Sequence, residues 1–275
     1  MRIGINTSFP HSSPEEWADI LKENGCRAVS FPVDYTKPVS VIDAYVKAAR
    51  ERDIRIAEVG IWDSPFQPDT RKAAQVKERS KEQLCLADYI QADCCVNVSG
   101  AFGENWSGCY RENFGDDSYQ KTVELVQWLC DEVKPTHTFY TLEPMQWMVP
   151  DTPEQYLQLL NDVNRKEFAV HMDLINFIKD PYTYTHMEEL IRKSFALLGP
   201  HIKSCHIKDC LLMPGTTVAI REVPIGEGRM DLPFYLEEIG KLSPDTPVLV
   251  EHLPKLEDYI NGVNAVKKLL TEHAS

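Results

Sequence analysis

Short apolar runs alternate with amphipathic helical patterns along the whole chain, and the alternation repeats eight times. The strand-like runs are Ile3–Asn6, Ala28–Phe31, Ile54–Val59, Cys94–Val98, a run through Phe139–Thr141 to Glu143, Phe168–Asp173, Ile202–His206 and Val248–Glu251. Eight strand–helix units in 275 residues predict a single-domain α/β fold, a (β/α)8 TIM barrel spanning residues 1–275. A doubly wound open sheet would need a phosphate-binding glycine loop after an early strand, and neither a GxGxxG nor a P-loop pattern is present.

The helical segments carry their own punctuation. Ser13-Pro14-Glu15-Glu16 and Thr152-Pro153-Glu154-Gln155 read as capping boxes with proline at the first helical position. Gly25 is placed to end the first helix. Further helices are expected at Val39–Arg52, Thr70–Tyr89, Ser118–Val133, Tyr184–Leu198 and Leu232–Gly240. A final helix, after the eighth strand, carries Tyr259, Ile260, Val263, Val266, Leu269 and Leu270 on one stripe. The Gly/Pro-bearing segment Leu211–Asp231 reads as a long loop.

Four strand runs end in residues able to bind a divalent cation: Glu143, Asp173, His206 and Glu251. Singly, each has a plainer reading as a solvated loop carboxylate, a cap or a core histidine. Together, at the strand ends where a barrel builds its site, three carboxylates and one imidazole suit Mn²⁺, Mg²⁺, Co²⁺ or Zn²⁺. Lys208, two residues after His206, shares its side of the strand and could steady a substrate oxygen or donate a proton. It could equally form a salt bridge with a carboxylate at the barrel top. His171 lies below Asp173 on the same face and could reach the site or remain a buried core residue. Trp62, Trp106 and Trp147, in loops after strands, could stack on a sugar or anchor the loops. Asn6, His11, Glu58 and Asn97 lie near early strand ends and could line the pocket, while His252 points away from Glu251.

A net charge of −13 disfavours nucleic acid as a partner, and no Lys/Arg cluster suggests a basic groove. No run approaches the roughly 18 apolar residues of a membrane span, and no apolar targeting segment opens the chain, so a soluble cytoplasmic protein is expected. The eight cysteines show no CxxC spacing and are expected to be reduced.

Leu-Glu-Pro at Glu143, His-Met-Asp-Leu-Ile-Asn at Asp173, Cys-His-Ile-Lys-Asp at His206, Leu-Val-Glu-His at Glu251 and Pro224-Ile225-Gly226-Glu227-Gly228 carry a resemblance. The sequence resembles the xylose isomerase-like TIM barrels, the fold of AP endonuclease family 2. That superfamily holds sugar isomerases and epimerases, hydroxypyruvate isomerase, inosose dehydratase and endonuclease IV. The resemblance implies that Glu143, Asp173, His206 and Glu251 bind one divalent metal, with Mn²⁺ the first expectation. It also implies that Glu143 and Glu251 act as an acid/base pair on a sugar-like keto substrate. The expected reaction is isomerisation or epimerisation through proton abstraction next to a carbonyl and a metal-stabilised enediolate.

A lyase or dehydratase is the alternative, an inosose- or 3-keto-glycoside-type β-elimination that begins with the same proton abstraction. Lys208 joins the catalytic set, and Trp62, Trp106, His171, Asn176 and Arg221 are the candidate substrate contacts. The sequence departs from the ketose 3-epimerases at Asn176, where they have histidine, and at Val149 and Leu212, where they have Glu and Arg. Arg221 or Arg229 could replace that Arg. Endonuclease IV fits worse, since Glu222-Val223-Pro224 stands where it has an Asp-x-His pair. Barrels of this superfamily often dimerise or tetramerise, so a homo-oligomer is among the expectations.

Overall fold

A computed structural model describes residues Met1–Glu272. Its strands are β1 (Arg2–Ile5), β2 (Ala28–Ser30), β3 (Arg55–Gly60), β4 (Cys94–Asn97), β5 (Tyr140–Leu142), β6 (Phe168–Asp173), β7 (Ile202–Ile207), β8 (Asp209–Leu212), β9 (Ile220–Val223) and β10 (Pro247–Val250). Eight of them close into a parallel barrel in the order β1-β10-β7-β6-β5-β4-β3-β2. The expected (β/α)8 barrel is what the chain forms.

The helices are α1 (Pro14–Glu23), α2 (Val39–Glu51), α3 (Thr70–Ile90), α4 (Asp116–Val133), α5 (Pro153–Val163), α6 (Pro181–Thr185), α7 (Met187–Leu198), α8 (Leu232–Gly240) and α9 (Leu256–Glu272). All but the short α6 bury one face against the barrel or its neighbours, with Trp17, Tyr156 and Tyr235 among the largest fully enclosed side chains. Tyr156 on α5 shows how the layers lock. Its hydroxyl donates to Leu142 O at 2.5 Å, and the Leu142 amide lies 3.2 Å from the same oxygen, so the helix grips β5 just before Glu143.

Both capping boxes form, but each closes one residue early. Ser13 Oγ accepts from the Glu16 amide, while Glu16 Oε2 accepts from the Ser12 amide at 2.6 Å rather than from Ser13. Thr152 and Gln155 repeat this offset, with Gln155 Oε1 accepting from the Asp151 amide at 2.9 Å. The Pro at the first helical position leaves the same turn geometry in both. Gly25 ends α1 with φ +70, a left-handed conformation that glycine adopts without strain.

Two expectations need correction. The helix expected at Tyr184–Leu198 is two: α6 starts at Pro181, with Asp180 as its cap, and a break at His186 precedes α7. Leu211–Asp231 is not simply a loop, because β8 and β9 pair antiparallel as a ribbon above the barrel. The carboxylate of Asp209 organises the return of the chain from that ribbon. It accepts from the amides of Cys210, Gly226, Gly228 and Met230 at 2.8–3.0 Å. Gly228 is required there, since a Cβ would stand 2.1 Å from Asp209 Oδ1. All eight cysteines are free. No helix among the described residues is long and apolar enough to cross a membrane.

Candidate metal centre

The parallel barrel brings the C-terminal ends of its strands to one rim, and the four expected ligands meet there. Glu143 follows β5, Asp173 ends β6, His206 lies near the end of β7, and Glu251 follows β10. Strand register sets Asp173 and Leu249 on either side of His206. One ligand atom from each of Glu143, Asp173, His206 and Glu251 lies within 4.8 Å of the others, and all four residues are buried.

The donor set fits a divalent cation. Asp173 Oδ1 is buried with no hydrogen-bond partner, and Asp173 Oδ2 and His206 Nδ1 meet only charged neighbours, without well-directed hydrogen bonds. Buried polar atoms without hydrogen bonds are rare, and a shared cation would satisfy them. His206 Nδ1 faces Glu251 Oε2 at 2.9 Å and Glu143 Oε2 at 3.5 Å. Three carboxylates and an imidazole form an oxygen-rich, borderline-hard site of the kind that suits Mg²⁺, Mn²⁺, Co²⁺ or Zn²⁺.

Lys208 lies inside the same cluster. Its Nζ is 2.6 Å from Asp173 Oδ2, 2.7 Å from Glu251 Oε1 and 2.9 Å from Glu222 Oε1. Glu222 comes from β9, so the ribbon reaches into the site, and it also contacts His252 Nδ1 at 2.8 Å. By strand alternation Arg221 stands on the other face of the ribbon, and it is exposed.

Without a cation the two basic groups hold the carboxylates. Burial works against charge on Lys208, but Asp173, Glu251 and Glu222 outweigh it and keep the ammonium protonated. His206 behaves likewise, because Glu251 and Glu58 more than offset its burial. Burial would raise Glu251, yet His206 and Lys208 pull it well below the usual carboxylate range. Glu143 is pushed well above that range by burial and by the Glu251 charge. Burial lifts Asp173 to about 6 despite Lys208. In the cation-free site the two glutamates are thus pushed in opposite directions, Glu143 towards the neutral form and Glu251 towards the charged one.

The other expected residues divide between this cluster and its surroundings. Asn176 donates from Nδ2 to Glu143 Oε1 at 2.7 Å, so its amide is committed to a ligand carboxylate. His171 is fully buried one layer below the rim, edge-on to His206 with ring centroids 4.1 Å apart. Trp62, Trp106, Trp147, Tyr110 and Met145 pack on buried Val98, Ala101 and Met148, forming an apolar wall over β3, β4 and β5. Met145 joins that wall to the centre, its sulfur 3.6 Å from Asn176 Nδ2. Trp62 adopts φ +54 directly after β3, a costly backbone conformation for a bulky side chain and one that clusters at functional sites.

Asn97 and His11 hold backbone and Tyr45 rather than facing the centre. Asn6 and Glu58 both reach His206 Nε2, at 3.0 and 3.3 Å. Glu222 was absent from the expected site because its strand was read as loop, and only a β-pattern in Ile220–Val223 could have signalled it.

A family model for the xylose isomerase-like TIM barrel matches residues 18–269. The chain belongs to this family. Solved members of similar shape include a xylose isomerase-like TIM barrel protein from Mycobacterium smegmatis in complex with magnesium, 16% identical over 100% of this chain and 98% of that one, TM-score 0.71. The 3-keto-D-glucoside 4-epimerase YcjR from E. coli is 13% identical, covering 98% of this chain and 99% of its own, with TM-score 0.69. The probable 3-DHS dehydratase AsbF from Bacillus anthracis is 16% identical, covering 98% and 99%, with TM-score 0.71. No curated protein sequence matches the chain significantly. Within the xylose isomerase-like family, likeness at these identities speaks for the fold.

Proposed function

We propose that the chain is a divalent-metal-dependent isomerase or epimerase of a sugar or sugar-like keto substrate. The observation that carries the reading is the convergence of Glu143, Asp173, His206 and Glu251, with two glutamates of opposite protonation tendency. These four residues would hold the cation, with Mn²⁺ the first choice to test. A bound divalent cation supplies electrostatic stabilisation to negative charge developing on substrate oxygens.

The chain's own groups then divide the work. Glu251 and Glu143 approach from β10 and β5, which are separated in the barrel by β7 and β6. One carboxylate removes a proton from the carbon beside a carbonyl, and the other returns a proton from a different side. Asn176 fixes the orientation of Glu143 through Oε1. Trp62, Trp106 and Trp147 offer apolar faces to the C–H side of the substrate. The family relatives that act on keto-sugars support this class of reaction.

Lys208 favours a second reading. A charged ammonium 2.7 Å from Glu251 is a proton donor placed beside the proposed base. β-Elimination needs such a donor at the departing oxygen, so a lyase or dehydratase is the alternative. Proton NMR of reactions in D₂O, with the Mn²⁺-loaded protein and a panel of ketoses, inososes and 3-keto-glycosides, separates the two. Deuterium beside the carbonyl with the substrate's composition otherwise unchanged supports the isomerase. Loss of water or of an aglycone supports the lyase. No exchange on any substrate counts against both.

A further inference from the structure

Beneath the rim lies a buried layer that the proposed chemistry does not use. Glu58, on β3, is completely enclosed, as are His171 and His206. Its Oε1 is 3.3 Å from His206 Nε2, and its Oε2 is 3.5 Å from His171 Nδ1. His171 Nε2 in turn faces Glu143 Oε2 at 3.9 Å. Glu58 Oε2 and both ring nitrogens of His171 have no hydrogen-bond partner. A carboxylate in such a place is costly unless it meets donors.

The two nitrogens of His206 face different groups. Nδ1 looks outward to Glu143 and Glu251. Nε2 looks inward to Glu58 Oε1 at 3.3 Å and to Asn6 Nδ2 at 3.0 Å. The Asn6 amino group would donate to Nε2, whereas the flipped amide would accept from it through Oδ1, and the two ends of an asparagine amide are interchangeable by a rotation of its side chain. An ionised carboxylate can only accept. With Glu58 as acceptor the proton stays on Nε2, so the proton that His206 gives up on binding a cation is the one on Nδ1, whose lone pair is then turned towards the acidic cluster.

We propose that Glu58 is a positioning residue of the metal centre: it fixes the tautomer and ring orientation of His206 so that Nδ1 is the donor presented to the cation. The inference rests on the reading of His206 as a ligand. Carboxylates behind metal-bound histidines act in this way, and losing one typically weakens metal binding 10- to 100-fold. His171 lies 3.5 Å from the other oxygen of Glu58 and 3.9 Å from Glu143 Oε2, close to both without a hydrogen bond to either.

The test is metal binding, independent of turnover. The purified chain is stripped with chelator and titrated with Co²⁺ by calorimetry, and its visible absorption is recorded for the wild type, Glu58→Gln and Glu58→Ala. The wild type is expected to take one equivalent. Glu58→Ala is expected to bind about 10- to 100-fold more weakly with altered Co²⁺ bands. Glu58→Gln, which keeps the shape but not the charge, is expected to fall between them, and it carries the test should the alanine variant not fold.

Unchanged affinity and an unchanged Co²⁺ spectrum in Glu58→Gln would reduce Glu58 to a buried filler and overturn the proposal. Two equivalents in the wild type and one in Glu58→Gln would also overturn it, by making Glu58 a ligand of a second cation. Failure of the wild type to bind any metal would remove the proposed function itself, and the positioning role with it.

Discussion

Lys208 sets its ammonium 2.6 Å from Asp173 Oδ2, inside the ring of ligands rather than beside it. The lysine and a divalent cation thus share the same carboxylates, and each is expected to weaken the hold of the other. Removing the lysine charge, as in Lys208→Met, is expected to tighten Mn²⁺ binding about tenfold or more, since like charges this close repel strongly in a buried site. The metal-free variant is expected to lose about 3–5 kcal/mol of stability, the usual cost of leaving buried carboxylates without their partner. Urea unfolding with and without Mn²⁺ checks both, and a variant that binds metal more weakly would mean Lys208 organises the ligands instead of competing.

Metal uptake is expected to release protons. In the metal-free protein burial lifts Asp173 to about 6, Glu143 titrates well above its ordinary range, and His206 is held protonated by Glu251 and Glu58. All three must be deprotonated to bind, so affinity rises with pH and falls as pH drops through 6. A loss of about tenfold or more between pH 7.5 and 5.5 is expected. Calorimetry in buffers of different ionisation enthalpy counts the protons, and pH-independent binding with no proton release would contradict the assignment.

Glu143→Gln and Glu251→Gln each keep an oxygen donor but remove the base. Each is expected to slow solvent exchange of the substrate proton by about 10²–10⁴, the usual contribution of a positioned acid or base. Deuterium incorporation followed by NMR reads this directly. Retention of exchange in either variant would assign the proton transfer on that side to another group.

Asp209 gathers four backbone amides into one carboxylate. Asp209→Ala would leave buried donors without an acceptor and is expected to cost about 3 kcal/mol or more, lowering the urea midpoint. Gly228→Ala is expected to destabilise in the same direction, because its Cβ would collide with Asp209 Oδ1. Wild-type stability in both would mean the segment from Pro224 to Met230 rearranges freely.

Much of the barrel was legible because short apolar runs alternate with amphipathic helices, two of them opened by capping boxes at Ser13 and Thr152. The four candidate ligands were legible as a group because they punctuate strand ends that a barrel brings to one rim. Glu58 showed itself only as a polar residue within an apolar run, and its partner His206 is 148 residues away, so nothing local indicates that the two meet. The β8–β9 ribbon was hidden by the Gly and Pro residues around it. Its pairing of Cys210 with Glu222 depends on a fold-back that no local periodicity announces. The split between α6 and α7 at His186 was missed because the apolar stripe runs on towards Tyr184 while the backbone does not.

The ribbon that delivers Glu222 to Lys208 is held by the turn pinned by Asp209, by Cys210 and Ile220 packing on the core, and by the contacts of Glu222 with Lys208 and His252. None of the four ligands belongs to it. Exchanging Ile220–Val223 for another β-sequence would therefore retune the charge next to the lysine while the cation's cradle stayed as it is. The architecture separates a floor of strand-end residues from a roof carried on a ribbon, so the charge above the cluster can be altered without rebuilding what lies beneath.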